Sequence, residues 1–343
     1  MWMLLAVILA ALMFDFANGM GDSANAIATV VSTRVLSPMQ AVFFAGLLNF
    51  AGSFVAIKVA LTIGSKMVDI NRMTLGILLS AMLGAFVWKF FCTIRGLPVS
   101  GSHSLLGGFF GAAVAGSGWD VVKWQEALKA LGGMFLSPAL GFILAYIMLI
   151  IVYWIAYNMT RENVRKTFNV MQISSSGFVA FIHGTSDAQK VMGIIVLALY
   201  TATHHPDVYG QIPQFLRMED INETNGVPLW VKFACGIVIG LGTTFGGWKV
   251  VKTLGMKLAH IRPIEGFAAE TGTGIALAIF SIGMGLPVSS THTITGAILG
   301  VGAAYRAKSV KWGVGKTILY AWCLTLPGSF IIGAAFSLVL GKL

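Results

Sequence analysis

Charge is the scarcest commodity in this 343-residue chain. Asp, Glu, Lys and Arg together make up 10% of it, against about 25% in a soluble domain. That deficit excludes an ordinary cytosolic enzyme, and a mean hydropathy of +0.82 excludes a disordered or fibrous chain. Cysteine is scarce too. Cys92, Cys235 and Cys323 lie far apart in or beside apolar runs, make neither a metal-binding spacing nor a disulfide framework, and read as packing residues. Acidic side chains number 13 against 23 basic ones. On a soluble chain this excess would suggest nucleic acid, but here the basic residues sit in short loops between apolar runs. The positive-inside bias of membrane proteins produces that placement, so no nucleic-acid partner is expected. No basic segment precedes the opening stretch MWMLLAVILAALMF, and no small-residue cleavage site follows it. It reads as part of a membrane segment rather than a removed signal.

What the chain has in abundance is long apolar runs. They fall at about 1–33, 38–63, 73–95, 97–116, 127–157, 171–203, 229–250, 264–284, 286–305 and 317–340. Several exceed the roughly 18 residues that a bilayer-spanning helix needs. The reading is an all-α, multi-pass protein of the cell membrane, with the lipid bilayer as its surroundings. The most polar stretch, 204–228, carries Asp207, Glu219, Asp220 and Glu223 against Arg217 and reads as an exposed loop.

Two motifs occur twice. Residues 96–108 read GLPVSGSHSLLGG and residues 285–297 read GLPVSSTHTITGA. A weaker pair is NGMGDSANA at 18–26 against HGTSDAQKV at 183–191, which aligns Asp22 with Asp187. Both pairs keep the same order, one copy in each half, as an internal duplication would. The reading is a first repeat over 1–157, a cytoplasmic linker over 158–170 and a second repeat over 171–343. Five runs per half make an odd number of crossings, so the two repeats insert in opposite orientations, with broken helices and paired hairpin turns. Loops at 34–37, 89–96, 158–170, 249–263 and 306–316 hold most of the Lys and Arg, Lys89 among them. The opposite side holds fewer, including Lys66, Arg72 and Lys342. Both termini are therefore expected outside, with the mid-chain loop cytoplasmic. A helix over 1–33 would be roughly 50 Å long. It is expected either to tilt and protrude or to break near Gly19 and Gly21.

Asp15, Asp22, Asp187 and Glu270 lie inside apolar runs, where an aspartate costs about 2.5–3.5 kcal/mol. Such a cost is tolerated where the carboxylate faces a polar cavity or meets a cation or proton. Asp22 and Asp187 each follow a glycine that could open the helix and free backbone carbonyls. With the amide of Asn25, those oxygens would suit a small hard cation. The competing reading of Asp187 is an ion pair with Lys190, and Glu270 and Asp15 are secondary candidates. The Gly-Leu-Pro-Val-Ser turns suggest an anion. A half-helix beginning after Pro98 or Pro287 would aim its N–H groups into the membrane. Ser100, Gly101, Ser102 and Ser104, with Ser289, Ser290, Thr291 and Thr293 in the other copy, would add donors around an oxyanion. The competing reading is that these residues only cap their helices. His103 and His292 follow the hydroxyl clusters and could touch substrate, although packed structural histidines are the better expectation.

At these residues the chain resembles the inorganic phosphate transporter family over nearly its whole length. The family's twice-occurring signature, close to Gly-Ala-Asn-Asp-Val-Ala-Asn-Ala, is similar to Gly19–Ala26 and Gly184–Lys190. Ala269-Glu270-Thr271 precedes the second turn as in the family. The resemblance implies a secondary transporter, not an enzyme, that imports phosphate with sodium ions or protons and has no other cofactor. It implies that Asp22, Asn25 and Asp187 hold the coupling ion, as sodium ligands if sodium is that ion, while the hydroxyl turns enclose phosphate. One departure stands out. The residue before each signature Asp is Gly21 or Ser186, where the family commonly has Asn. Sulfate is the alternative cargo, an intramembrane lipid phosphatase or a passive channel are remoter readings, and the sequence leaves a homo-oligomer open.

Overall fold

The computed structural model describes residues 1–222 and 226–341. Glu223, Lys342 and the side chain of Asp207 lie outside the described residues. Ten long helices follow the ten apolar runs. They are α1 (Trp2–Ser32), α2 (Pro38–Gly52), α3 (Leu75–Arg95), α4 (Gly101–Ser117) and α5 (Trp124–Ala156) in the first half. The second half supplies α6 (Arg161–Thr203), α7 (Leu229–Phe245), α8 (Pro263–Leu277), α9 (Ser290–Arg306) and α10 (Trp312–Leu340). Among the described residues the only β pairing is an isolated bridge between Val68 and Val122.

Local chemistry sets the ends of these helices. Ser37 and Gln40 form a reciprocal capping box ahead of α2, where Pro38 occupies the first turn. Thr74 and Thr160 accept from the backbone N–H of Ile77 and Asn163 at the starts of α3 and α6. By length and apolar character, α1, α3, α5, α10 and the stretch Pro263–Gly283 could each cross a membrane. A sixth crossing is reached if α7 and Trp248–Leu258, bent by 59°, form one broken span. Phe135, Trp154 and Ile155 on α5, with Tyr320 and Leu338 on α10, are each about 70% exposed or more. Apolar side chains that face outward in this number suit lipid, not water.

Inside this shell lie elements of mixed polarity. The half-helices α4 and α9 have 17 residues each and are buried from their first turn. α4 packs between α3 and α10, and α9 between α5 and α8. The longer α1 and α6 pack against one another, and both are buried through their polar middles.

Three expectations need correction. α1 is one continuous helix through Gly19 and Gly21, and Asp187 likewise sits within an unbroken α6. Close packing on both sides keeps each helix wound, so neither signature frees its own carbonyls. α6 starts at Arg161, inside the expected linker, because Thr160 caps it and Glu162 pairs with Lys166 one turn on. Lys89 is not a loop residue at all. α3 runs on to Arg95, which leaves Lys89 inside the bundle at 1% exposure. The polar stretch after α6 is tied down by Ile212, Leu216 and Met218, which join the apolar core, while Glu219 and Asp220 stay exposed.

Candidate functional site

The middles of α1 and α6 meet the two turns that begin α4 and α9. Each turn starts at a glycine, Gly96 at φ 75° and Gly285 at φ 67°. That left-handed backbone costs glycine little. Ser100 and Ser289 then cap the half-helices, accepting from the N–H of His103 and His292 at 3.1 Å in both copies. The hydroxyls of Ser104 and Thr293 donate back to the carbonyls of Ser100 and Ser289 at 2.9 and 2.7 Å. The two turns are thus built alike, bond for bond, as their sequences are alike.

The turns bring the helix-starting N–H groups, and the positive ends of two helix dipoles, into the protein interior. They also present two carbonyls, those of Val99 and Val288. Each carbonyl accepts from a buried lysine. Lys89 Nζ donates to Val99 O at 2.9 Å and to Asp22 Oδ1 at 2.6 Å. Lys190 Nζ donates to Val288 O at 2.9 Å, to Asp187 Oδ1 at 2.7 Å and to Ser102 Oγ at 2.5 Å. All four charged groups are 2% exposed or less.

The remaining bonds stitch the halves together. Thr291 Oγ1 donates to Asp22 Oδ1 at 2.9 Å, and Asn25 Nδ2 reaches Ser290 and Thr291 at 3.2 Å each. Ser102 Oγ donates to Val288 O at 2.7 Å, and Asn18 Nδ2 donates to Asp187 Oδ2 at 3.1 Å. His183 Nε2 lies between the two carboxylates, 3.3 Å from Asp187 Oδ2 and 3.8 Å from Asp22 Oδ2. Its ring is held from behind by Asn49 Oδ1 at 2.8 Å from Nδ1.

Most of the residues singled out in the sequence therefore meet. Asp22, Asn25, Ser290 and Thr291 share one hydrogen-bonded network and Asp187, Lys190 and Ser102 another, the two carboxylates facing each other across His183, and Ser100 and Ser289 cap the two half-helices. Gly101 contributes space. A Cβ there would lie 1.8 Å from Asn18 Oδ1, so a side chain at 101 would displace the Asn18 amide. His103 and His292 stack on each other at 4.5 Å between centroids, with Trp322 on the far face of His292 at 3.8 Å. Both rings are buried.

Two carboxyls stand apart. Glu270 accepts from Thr29 and Ser175 on α1 and α6 and meets no lysine. Asp15 is fully buried, two turns before Asp22, and among the described residues no group donates to either of its oxygens. Sequence reasoning missed Lys89, His183 and Asn18. His183 precedes Asp187 by four residues on the same helix, so helical spacing alone could have placed it beside that carboxylate.

The departure at the first signature has a physical counterpart. A Cβ on Gly21 would meet Thr93 Oγ1 at 2.5 Å and Lys89 Cε at 3.0 Å. The lysine arm runs through the space a side chain would take. Ser186 instead shares a hydrogen bond of 2.9 Å with Ser281.

The fold and this centre define an all-helical membrane protein with a charged, donor-rich site closed within the bundle. The phosphate transporter family model matches residues 18–333, and the chain belongs to that family. It is 41% identical to the "Probable low-affinity inorganic phosphate transporter" of Rhizobium meliloti, covering 97% of this chain and 95% of the relative. With the Bacillus subtilis protein of the same description it shares 39% identity over 98% and 97% of the two chains. A solved structure described as "The sodium-dependent phosphate transporter" superposes with a TM-score of 0.87 at 25% identity, over 100% of both chains. The family and these relatives are transporters, not enzymes, and the chain is a multi-pass membrane protein that transports phosphate.

Proposed function

We propose that this chain imports inorganic phosphate by alternating access, coupled to sodium ions or protons, about a site between two inverted halves. The observation that carries this reading is the paired turns. Two half-helices start inside the bundle with matching caps, and their hydroxyls reach the Asp22 carboxylate on α1 and the Lys190 ammonium on α6. Helix N-termini, hydroxyls and ammonium groups are the donors that bind an oxyanion. The substrate contacts are Ser100, Gly101, Ser102, Ser289, Ser290 and Thr291. Asp22, Asn25 and Asp187 answer to the coupling ion. Every one of these residues is buried. Passage therefore requires a rearrangement that opens the centre to one side at a time.

The halves are 1–157 and 171–343, opposite in orientation, with both termini outside and the connection between them in the cytoplasm. The matched turns and signatures support this arrangement, as does the excess of basic residues on one side. Phosphate keeps a proton near neutral pH and can donate it to a carboxylate, whereas sulfate has no such donor.

The test is labelled phosphate uptake into proteoliposomes, with sodium and proton gradients imposed separately and excess sulfate as competitor. Gradient-driven uptake that resists sulfate is expected. Absence of phosphate uptake under both gradients, with sulfate uptake in the same vesicles, would move the cargo to sulfate.

A further inference from the structure

We propose that Lys89 and Lys190 are tethered cations standing where mobile sodium ions would otherwise bind, so that this chain moves phosphate without sodium. The inference rests on the phosphate-carrier reading and concerns the same centre. Each ammonium lies in a shell of oxygens alone. Lys190 Nζ has one carboxylate, one carbonyl and one hydroxyl oxygen between 2.5 and 2.9 Å. Those three acceptors use all three of its N–H groups. Lys89 Nζ has one carboxylate and one carbonyl oxygen at 2.6 and 2.9 Å. Carboxylate, carbonyl and hydroxyl oxygens are also the ligands that hard metal cations take. Each ammonium takes the carboxylate oxygen and the carbonyl that such a cation would bridge, while Asp22 Oδ2, Asn18 Oδ1 and Asn25 Oδ1 are buried with no hydrogen-bond donor among the described residues.

Charge leads to the same conclusion. Asp22 and Asp187 supply two negative charges, and Lys89 and Lys190 supply two positive ones within 2.7 Å. Before phosphate enters, a bound sodium ion would leave this buried cluster with uncompensated positive charge, which a low-dielectric interior penalises heavily. The carboxylate oxygens that the lysines do not use face His183, and Asp22, His183 and Asp187 bring one ligand atom each within 4.8 Å of one another; a set that includes imidazole suits a softer metal ion better than sodium.

The two lysines arrive by different routes. Lys190 is three residues beyond Asp187 on α6, and the matching position on α1 is Asn25, which bonds to Ser290 and Thr291 instead. The cation for Asp22 therefore comes from α3, and its arm fits because position 21 has no side chain. Two unrelated positions deliver the same group to equivalent carboxylates, which argues for a requirement for charge at each. The alternative is that the ammonium groups swing onto phosphate during transport and release the carboxylates to sodium.

Proteoliposome uptake separates these readings. With the wild type, initial phosphate uptake under a proton gradient is expected to be equal in sodium chloride and in choline chloride of the same concentration. A stimulation by sodium of about fivefold or more, the size of an ordinary coupling between two ligands, would overturn the proposal. Thermal unfolding in detergent gives a readout that does not depend on transport. Replacing choline by sodium is expected to leave the wild-type midpoint unchanged and to raise it in Lys190→Ala and Lys89→Ala, where the oxygens are released. A sodium-dependent rise in the wild type would overturn the proposal even if no phosphate moved. If phosphate failed to move under any gradient while the midpoint stayed insensitive to sodium, the carrier reading would fall and the tethered cations would stand. Uptake by the lysine variants is expected to be lost in choline and partly restored in sodium. Properly folded variants that gain neither uptake nor stability from sodium would count against the substitution of one cation for the other.

Discussion

The two halves of the centre are alike in their turns and unlike in how each carboxylate is neutralised. On the α6 side, Asp187 and Lys190 share one helix, and the lysine makes three bonds that reach both turns. On the α1 side, Asp22 borrows Lys89 from α3, and the lysine makes two bonds to groups of its own half. The difference separates what the chemistry requires from what ancestry supplies. Bond for bond the turns look inherited from one duplicated unit. The placement of positive charge looks like two separate solutions to one problem, the cost of a bare carboxylate in a closed, apolar bundle.

Removing either lysine should break the comparison most severely. Lys190→Ala leaves Asp187 without its cation and Ser102 Oγ without its donor, while Val288 O keeps the Ser102 hydroxyl. About 3–5 kcal/mol of stability should be lost, as when one member of a buried ion pair is removed. Lys89→Ala removes two bonds where Lys190→Ala removes three, and should fall at the lower end of that range, about 3 kcal/mol. Thermal unfolding of the two variants side by side checks the order. Equal losses would mean that the third bond of Lys190 adds nothing. Gly21→Ala is a gentler probe of the same arm. Its methyl would press on Thr93 and Lys89, with an overpacking cost of about 1–3 kcal/mol. In the Lys89→Ala background the cost should shrink, because the arm is gone, and a double-mutant cycle measures that difference. A cycle with no coupling would show that Gly21 does not make room for the lysine.

Much of this was legible in the sequence, for identifiable reasons. The ten helices follow from apolar runs that are long, strong and separated by polar loops, which is the easiest pattern to read. The paired turns follow from an identical Gly-Leu-Pro-Val-Ser. Asp22 and Asp187 were legible because an acid in an apolar run is costly enough to need a reason. Lys89 was not. It lies near the end of its run, where a lysine ordinarily marks a loop on the positive side, and nothing local tells a buried lysine from an exposed one. Its partner is 67 residues away in sequence, so only tertiary packing places it. The unbroken course of α1 and α6 was equally hidden. Glycine permits a break without requiring one, and the neighbours of Gly19 and Gly184 settle the matter by packing backbone against them.

Smaller effects test whether the turns are as equivalent as they look. Ser100→Ala and Ser289→Ala each remove a cap, at a cost of about 0.5–2 kcal/mol. The two costs should agree closely, since both caps accept at 3.1 Å and both serines are buried. A large disparity in unfolding midpoints would mean that one serine has a further partner, and phosphate uptake by the two variants would show which.

The smallest effect belongs to a third ion pair, which serves as the control for the other two. Arg72 and Asp120 approach to 2.5 Å, as closely as the buried pairs, but with side chains 40% and 75% exposed. Water screens such a pair, so Asp120→Ala should change the unfolding midpoint far less than either lysine variant. The hydrogen bond from Arg72 holds the Asp120 carboxyl below its ordinary value of 3.8. A carboxyl lowered on folding stabilises the folded state above that ordinary value, and the contribution fades as pH falls through the lowered one. The wild type and Asp120→Ala should therefore differ slightly at neutral pH and converge under strong acid. A gap that stays constant down to the acid limit would mean that Asp120 acts through packing of its loop and not through its charge. If the exposed pair matched the buried ones in size, burial would lose its place as the reason why Lys89 and Lys190 matter.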